Sequence, residues 1–120
     1  MVISPNKVLA VDFDGTIVSD KFPDIGEPNL EFIEWLKNYQ SSGGKLILWT
    51  CRNDQENREL ESLALTKAID FCKSQGLYFD SINKNLPEVI EKYSGDTRKV
   101  MADYYIDDKN VGVLDWKNMN

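Results

Sequence analysis

The chain of 120 residues predicts an α/β fold: a Rossmann-like parallel sheet with helices on both faces, three layers in all. Three observations predict it. The runs "VLAV" and "LILW" are apolar almost without a break, as strands buried on both faces are. Segments of strand character alternate with segments of helical period. Each strong apolar run also stops at a polar cluster: "DFDGT" after Val11, Thr50 after Trp49, and Asp107–Asp108 after Ile106.

The first strand is expected over Lys7–Val11. Residues 15–27 follow as an irregular stretch punctuated by Gly15, Pro23 and Gly26, before Pro28. Leu30, Phe32, Ile33, Leu36 and Tyr39 recur at helical spacing, so a helix follows Pro28, capped at Asn29 or the residue before it and stopped by "SSGG". Leu46–Trp49 forms the second strand. Asn53 or Asp54 is expected to cap a long second helix whose inner stripe is Leu60, Leu63, Ala64, Ala68, Phe71 and Cys72, ended by Gly76. "LYFDSI" reads as a short third strand, Pro87 starts a short helix to Tyr93, and "ADYYIDD" is a fourth strand. Residues 111–116 carry one more short strand or a docking turn. One domain over residues 1–120 accounts for the whole chain.

Composition narrows the chemistry. Twenty acids against fourteen Lys and Arg give a net charge of −6, so no basic field exists to hold a long nucleic acid. With no His, there is no Ser–His or Cys–His nucleophile pair and no His-bearing zinc site. Proton transfer near neutral pH falls to carboxylates, Lys, Tyr or Cys. No apolar run reaches the roughly 20 residues of a membrane span, and "MVISPNK" lacks the build of a signal peptide, so a cytoplasmic location is expected. Two cysteines are too few for a disulfide scaffold: Cys72 reads as a core residue, and Cys51 lacks the arginine loop of a thiol phosphatase.

In parallel sheets, ligands bind beyond the carboxyl ends of the strands, and all three polar clusters are expected at that edge. Four carboxylates gathered there repel one another unless a cation joins them. With oxygen donors alone, the match is a hard ion, Mg²⁺, held by Asp12, Asp14, Asp107 and Asp108. The backbone N–H groups of the Phe13–Asp14–Gly15 turn are candidates for cradling phosphate oxygens, with Thr50 nearby. Arg52 is a candidate for the same phosphate through its planar fork, or for pairing with a neighbouring acid.

"DFDGT", "LWTCR" and "YIDD", in this order and each at a strand end, resemble the motifs of the haloacid dehalogenase (HAD) superfamily of phosphohydrolases. The resemblance covers roughly residues 7–112. It implies that Asp12 is the nucleophile, forming an aspartyl-phosphate, and that Asp14 is the general acid and then the base. Asp14 would also offer its backbone carbonyl to the metal. Thr50 would donate to a phosphate oxygen, and Asp108 would be the main metal ligand, with Asp107 behind it or bound through water. A lysine, Lys99 or alternatively Lys84, would neutralise the phosphoryl charge. The 33 residues between Thr16 and Thr50 and the 48 between Thr50 and Lys99 leave no room for a cap domain, as in the small cap-lacking members. An open site suits a small phosphorylated substrate, closed over by residues 19–27 or by a second subunit. A terminal phosphate of a nucleotide or oligonucleotide is an alternative. Two rival readings are a receiver-like signalling domain, whose motifs run in another order, and a catalytically silent Mg²⁺-binding module.

Overall fold

The computed structural model describes residues 5–54 and 63–110. It contains β1 (Val8–Val11), α1 (Leu30–Ser41), β2 (Lys45–Leu48), α2 (Ala64–Ser74), β3 (Ser81–Ile82), α3 (Pro87–Tyr93) and β4 (Tyr104–Ile106). The four strands form one parallel sheet in the order β3-β2-β1-β4. The α/β class and the alternating order are as the sequence predicts. No cap domain interrupts the described residues.

Each strand points alternate side chains to opposite faces. Leu9 and Val11 of β1 and Leu46 and Leu48 of β2 face α1 and α2, meeting Phe32, Ile33, Leu36, Ala68 and Cys72. Ala10 and Ile47 face the other way, where Leu86, Val89 and Val100 cover them. Both faces of β1 and β2 are therefore dry, which is why their sequences show no polar alternation. Trp35 stacks between Phe32 and Tyr39 along α1, and Trp49 packs in the second cluster, so both serve packing. Burial pushes the Cys72 thiol up to about 12, in keeping with a core residue.

Helix α1 begins as expected: the Asn29 side chain accepts from the Phe32 N–H at 3.2 Å. Helix α2 departs from expectation. It starts at Ala64 rather than directly after Asp54, yet Asp54 still serves its N-terminus from outside, accepting from the Thr66 N–H at 3.0 Å and its hydroxyl at 2.5 Å. Leu60 of the expected stripe lies outside the described residues, as do the expected element at 111–116 and Trp116. The third strand shrinks from "LYFDSI" to Ser81–Ile82: ahead of it the Leu46 N–H donates to the Asp80 side chain at 2.8 Å and Tyr78 O accepts from the Gln40 side chain at 2.7 Å, and after it Asn83 takes a positive φ. Among the described residues, no helix is long and apolar enough to cross a membrane.

Candidate functional site

Strand pairing brings the acids together. The Asp12 N–H donates to Ile106 O at 2.9 Å and the Trp49 N–H to Val11 O at 2.9 Å, so the ends of β1, β2 and β4 are level. One carboxylate oxygen from each of Asp12, Asp107 and Asp108 then falls within 4.8 Å of the others. Burial raises the Asp12 carboxyl first, and the charges of Asp107 and Asp108 raise it further, to about 7. The Phe13 N–H, which favours the ionised form, opposes them without prevailing. The lysine beside this cluster is Lys109, whose ammonium lies 3.4 Å from Asp108; that ion pair raises the Lys109 pKa.

A donor set of three crowded carboxylates fits a hard divalent cation, which would offset the repulsion that lifts Asp12. Asp14 is not part of the carboxylate group. Its side chain pairs with Arg52 at the pocket wall instead, which leaves its backbone carbonyl as the group it could offer a metal.

Of the two readings of Arg52, the structure shows the pairing with a neighbouring acid rather than a free phosphate contact. Arg52 is 2% exposed, and all five of its N–H donors are taken. Nε and one Nη2 hydrogen grip both oxygens of Asp14 at 2.9 and 2.8 Å, and Nη2 also reaches Asp24 O at 2.7 Å. Nη1 donates to Pro23 O at 3.1 Å and Ala64 O at 3.0 Å. The guanidinium sits over the rings of Phe13 and Phe22, 4.9 and 5.2 Å from their centroids. No donor remains for a substrate in this arrangement.

The Phe13–Gly15 turn is also partly committed. Phe13 is fully buried, its N–H turned to the Asp12 carboxylate, and the Gly15 N–H donates to Val18 O at 2.8 Å. Of the expected cradle, the Asp14 N–H is what remains. Gly15 has a different task. Its φ is +82°, and a Cβ there would run into the Asp108 carboxylate. Gly15→Ala is therefore expected to lower stability by about 1–3 kcal/mol and to displace Asp108. Calorimetric titration with Mg²⁺ should show weakened binding, whereas unchanged affinity would remove Gly15 from the site.

A pocket of about 280 Å³ opens over the cluster. Asp12, Asp14, Thr50, Cys51, Arg52 and Asp107 line it, together with Asp20, Phe22 and Lys109. Thr50 Oγ1 accepts from the Arg52 N–H at 3.1 Å, so its own hydrogen is available to the pocket. The Thr50 N–H is held by Asn83 Oδ1 at 2.8 Å. Neither candidate lysine lines the pocket. Lys99 lies over the Tyr105 ring at 5.2 Å, and Lys84 is exposed beyond β3. The sequence reading missed Lys109, and covered Asp20 and Phe22 only within the loop 19–27 expected to close over the site. For Lys109 a signal existed, since it directly follows the acid pair.

No family model matches the chain, and no curated protein does. A solved structure of a conserved protein from Bacteroides thetaiotaomicron superposes with a TM-score of 0.76 at 41% sequence identity, covering 92% of this chain and 84% of that one. At that identity and coverage, the chain belongs to the family of this conserved Bacteroides thetaiotaomicron protein.

Proposed function

We propose that the protein is a phosphatase of the HAD type, hydrolysing small phosphomonoesters with a divalent cation, Mg²⁺, at Asp12, Asp107, Asp108 and the Asp14 carbonyl. The observation that carries this reading is the convergence of three carboxylates from two distant motifs beneath a pocket that also holds Thr50. When bound, the cation supplies charge neutralisation for Asp12 and the phosphoryl oxygens.

Asp12 uses an oxygen to attack phosphorus, and the bond from phosphorus to the leaving oxygen breaks. Asp14 gives that oxygen a proton. Water then attacks the aspartyl-phosphate while Asp14 takes its proton, the Asp12–phosphorus bond breaks, and inorganic phosphate leaves. Thr50 donates its hydroxyl hydrogen to a phosphoryl oxygen throughout, and Lys109 adds positive charge at the pocket wall. Lys99 as phosphoryl neutraliser finds no support in its position over Tyr105.

Purified protein should release p-nitrophenol from p-nitrophenyl phosphate with Mg²⁺, lose that activity in EDTA, and recover it on adding Mg²⁺ back. Full activity in chelator would sink the reading. One observation favours a receiver-like phosphoacceptor instead: both oxygens of Asp14, the group that would activate water, already accept from Arg52. The lifetime of phosphate on Asp12 separates the two, because a phosphatase clears it within a turnover and an acceptor keeps it.

A further inference from the structure

We propose that Arg52 is a positioning residue that restrains the Asp14 carboxylate at the pocket wall by both of its oxygens and ties its release to the opening of residues 19–27; the catalytic half of this rests on Asp14 being the proton donor and acceptor proposed above.

Residues 19–27 form a loop with a closed neck. The Ser19 N–H donates to Glu27 O and the Glu27 N–H to Ser19 Oγ, both at 2.8 Å. Above the neck, Ile25 rests against the core, the Asp24 N–H donates to Lys21 O at 2.9 Å within the tip, and Arg52 ties the tip to the body of the domain. Pro23 O and Asp24 O accept from its guanidinium, and the Phe22 ring lies against it. The same buried ion carries both oxygens of Asp14. One cation thus links the proton-transfer carboxylate to a loop that helps to line the pocket.

The link is mechanical because a buried guanidinium cannot be left short of acceptors without a large desolvation cost. If Asp14 turns toward a leaving oxygen, Nε and one Nη2 hydrogen lose their partners together. Arg52 must then shift toward water, and the carbonyls of Pro23 and Asp24 lose their donors. Release of Asp14 and loosening of the loop tip are therefore one event.

Two measurements on the full chain with Mg²⁺ test this. Limited trypsin digestion reads the loop at the exposed Lys21–Phe22 bond, with Lys92 as a reference site. Asp14→Asn is expected to raise cleavage after Lys21 about fivefold or more, with cleavage after Lys92 unchanged. Unchanged cleavage at Lys21, or equal acceleration at both sites, would overturn the link. The second measurement uses Arg52→Lys, which keeps the charge and loses the fork. A nitrophenyl ester needs little help from an acid, and an alkyl ester needs much. Freed from the fork, Asp14 should reach the leaving oxygen more often, so the alkyl-to-nitrophenyl ratio of kcat should rise about threefold or more. A fall in both rates at constant ratio would mean a purely structural arginine. A lowered ratio would mean that Arg52 delivers Asp14 rather than restrains it. Either result overturns the proposal. If no variant, nor the parent, turned over any ester, the phosphatase reading would fall, and Lys21 cleavage alone would decide the link between Asp14, Arg52 and the loop.

Discussion

Asp12→Asn is expected to lower turnover of p-nitrophenyl phosphate by at least about 10³-fold, since the amide cannot attack phosphorus. The same substitution should make the metal-free protein more stable. Burial, Asp107 and Asp108 raise the Asp12 carboxyl from 3.8 to about 7, so the folded state binds a proton that the unfolded state releases. Stability then falls as pH rises through the window from about 4 to about 7, and above 7 the full penalty is present. Asn carries no charge and escapes it. Because Asp12 is partly exposed, solvent screening limits the gain to about 1 kcal/mol at pH 8. Thermal melts in EDTA should show the variant and parent converging near pH 4 and separating as pH rises. Adding Mg²⁺ should raise the melting temperature of the parent much more than that of the variant. A variant melting below the parent at pH 8 in chelator would refute the account of a crowded carboxylate.

Arg52→Ala is expected to cost about 3–5 kcal/mol of stability, as removal of one partner of a buried ion pair does. The loss has several sources. Asp14, with its side chain 19% exposed, loses its counterion. The carbonyls of Pro23, Asp24 and Ala64 lose donors, and Phe13 and Phe22 lose the flat ion between them. Chemical denaturation should show the drop in midpoint. The double variant Asp14→Ala with Arg52→Ala should lose clearly less than the two single losses added together, because both remove one interaction. Strict additivity would mean that the two side chains act independently.

Much of the architecture was legible because burial on both faces leaves a plain trace in β1 and β2. The acid cluster was legible too, since Asp12, Asp107 and Asp108 directly follow strands that pair side by side. Arg52 was harder to read. Three of its five acceptors are backbone carbonyls, from residues 23, 24 and 64, and a carbonyl looks the same whatever its side chain. The start of α2 escaped for a related reason: motif reading expects a cap beside its helix, and Asp54 acts from across residues 55–62. The lysines were hard to place because distance along the chain does not give direction in space. Lys99 precedes β4 and leans on Tyr105, while Lys109 follows β4 and stands at the carboxylates.

The position of β1 between β2 and β4 bears on how the molecule comes into being. Its Leu9 pairs with Leu46 on one side and with Tyr104 on the other. During synthesis the first edge finds its neighbour early, while the second waits until nearly all of the described chain has left the ribosome. Until then an apolar strand edge stands open, a state that invites association between nascent chains. Asp12 meanwhile lacks Asp107 and Asp108, so a half-made chain has no assembled carboxylate cluster, and the seat proposed for a cation forms only in the last stage of folding.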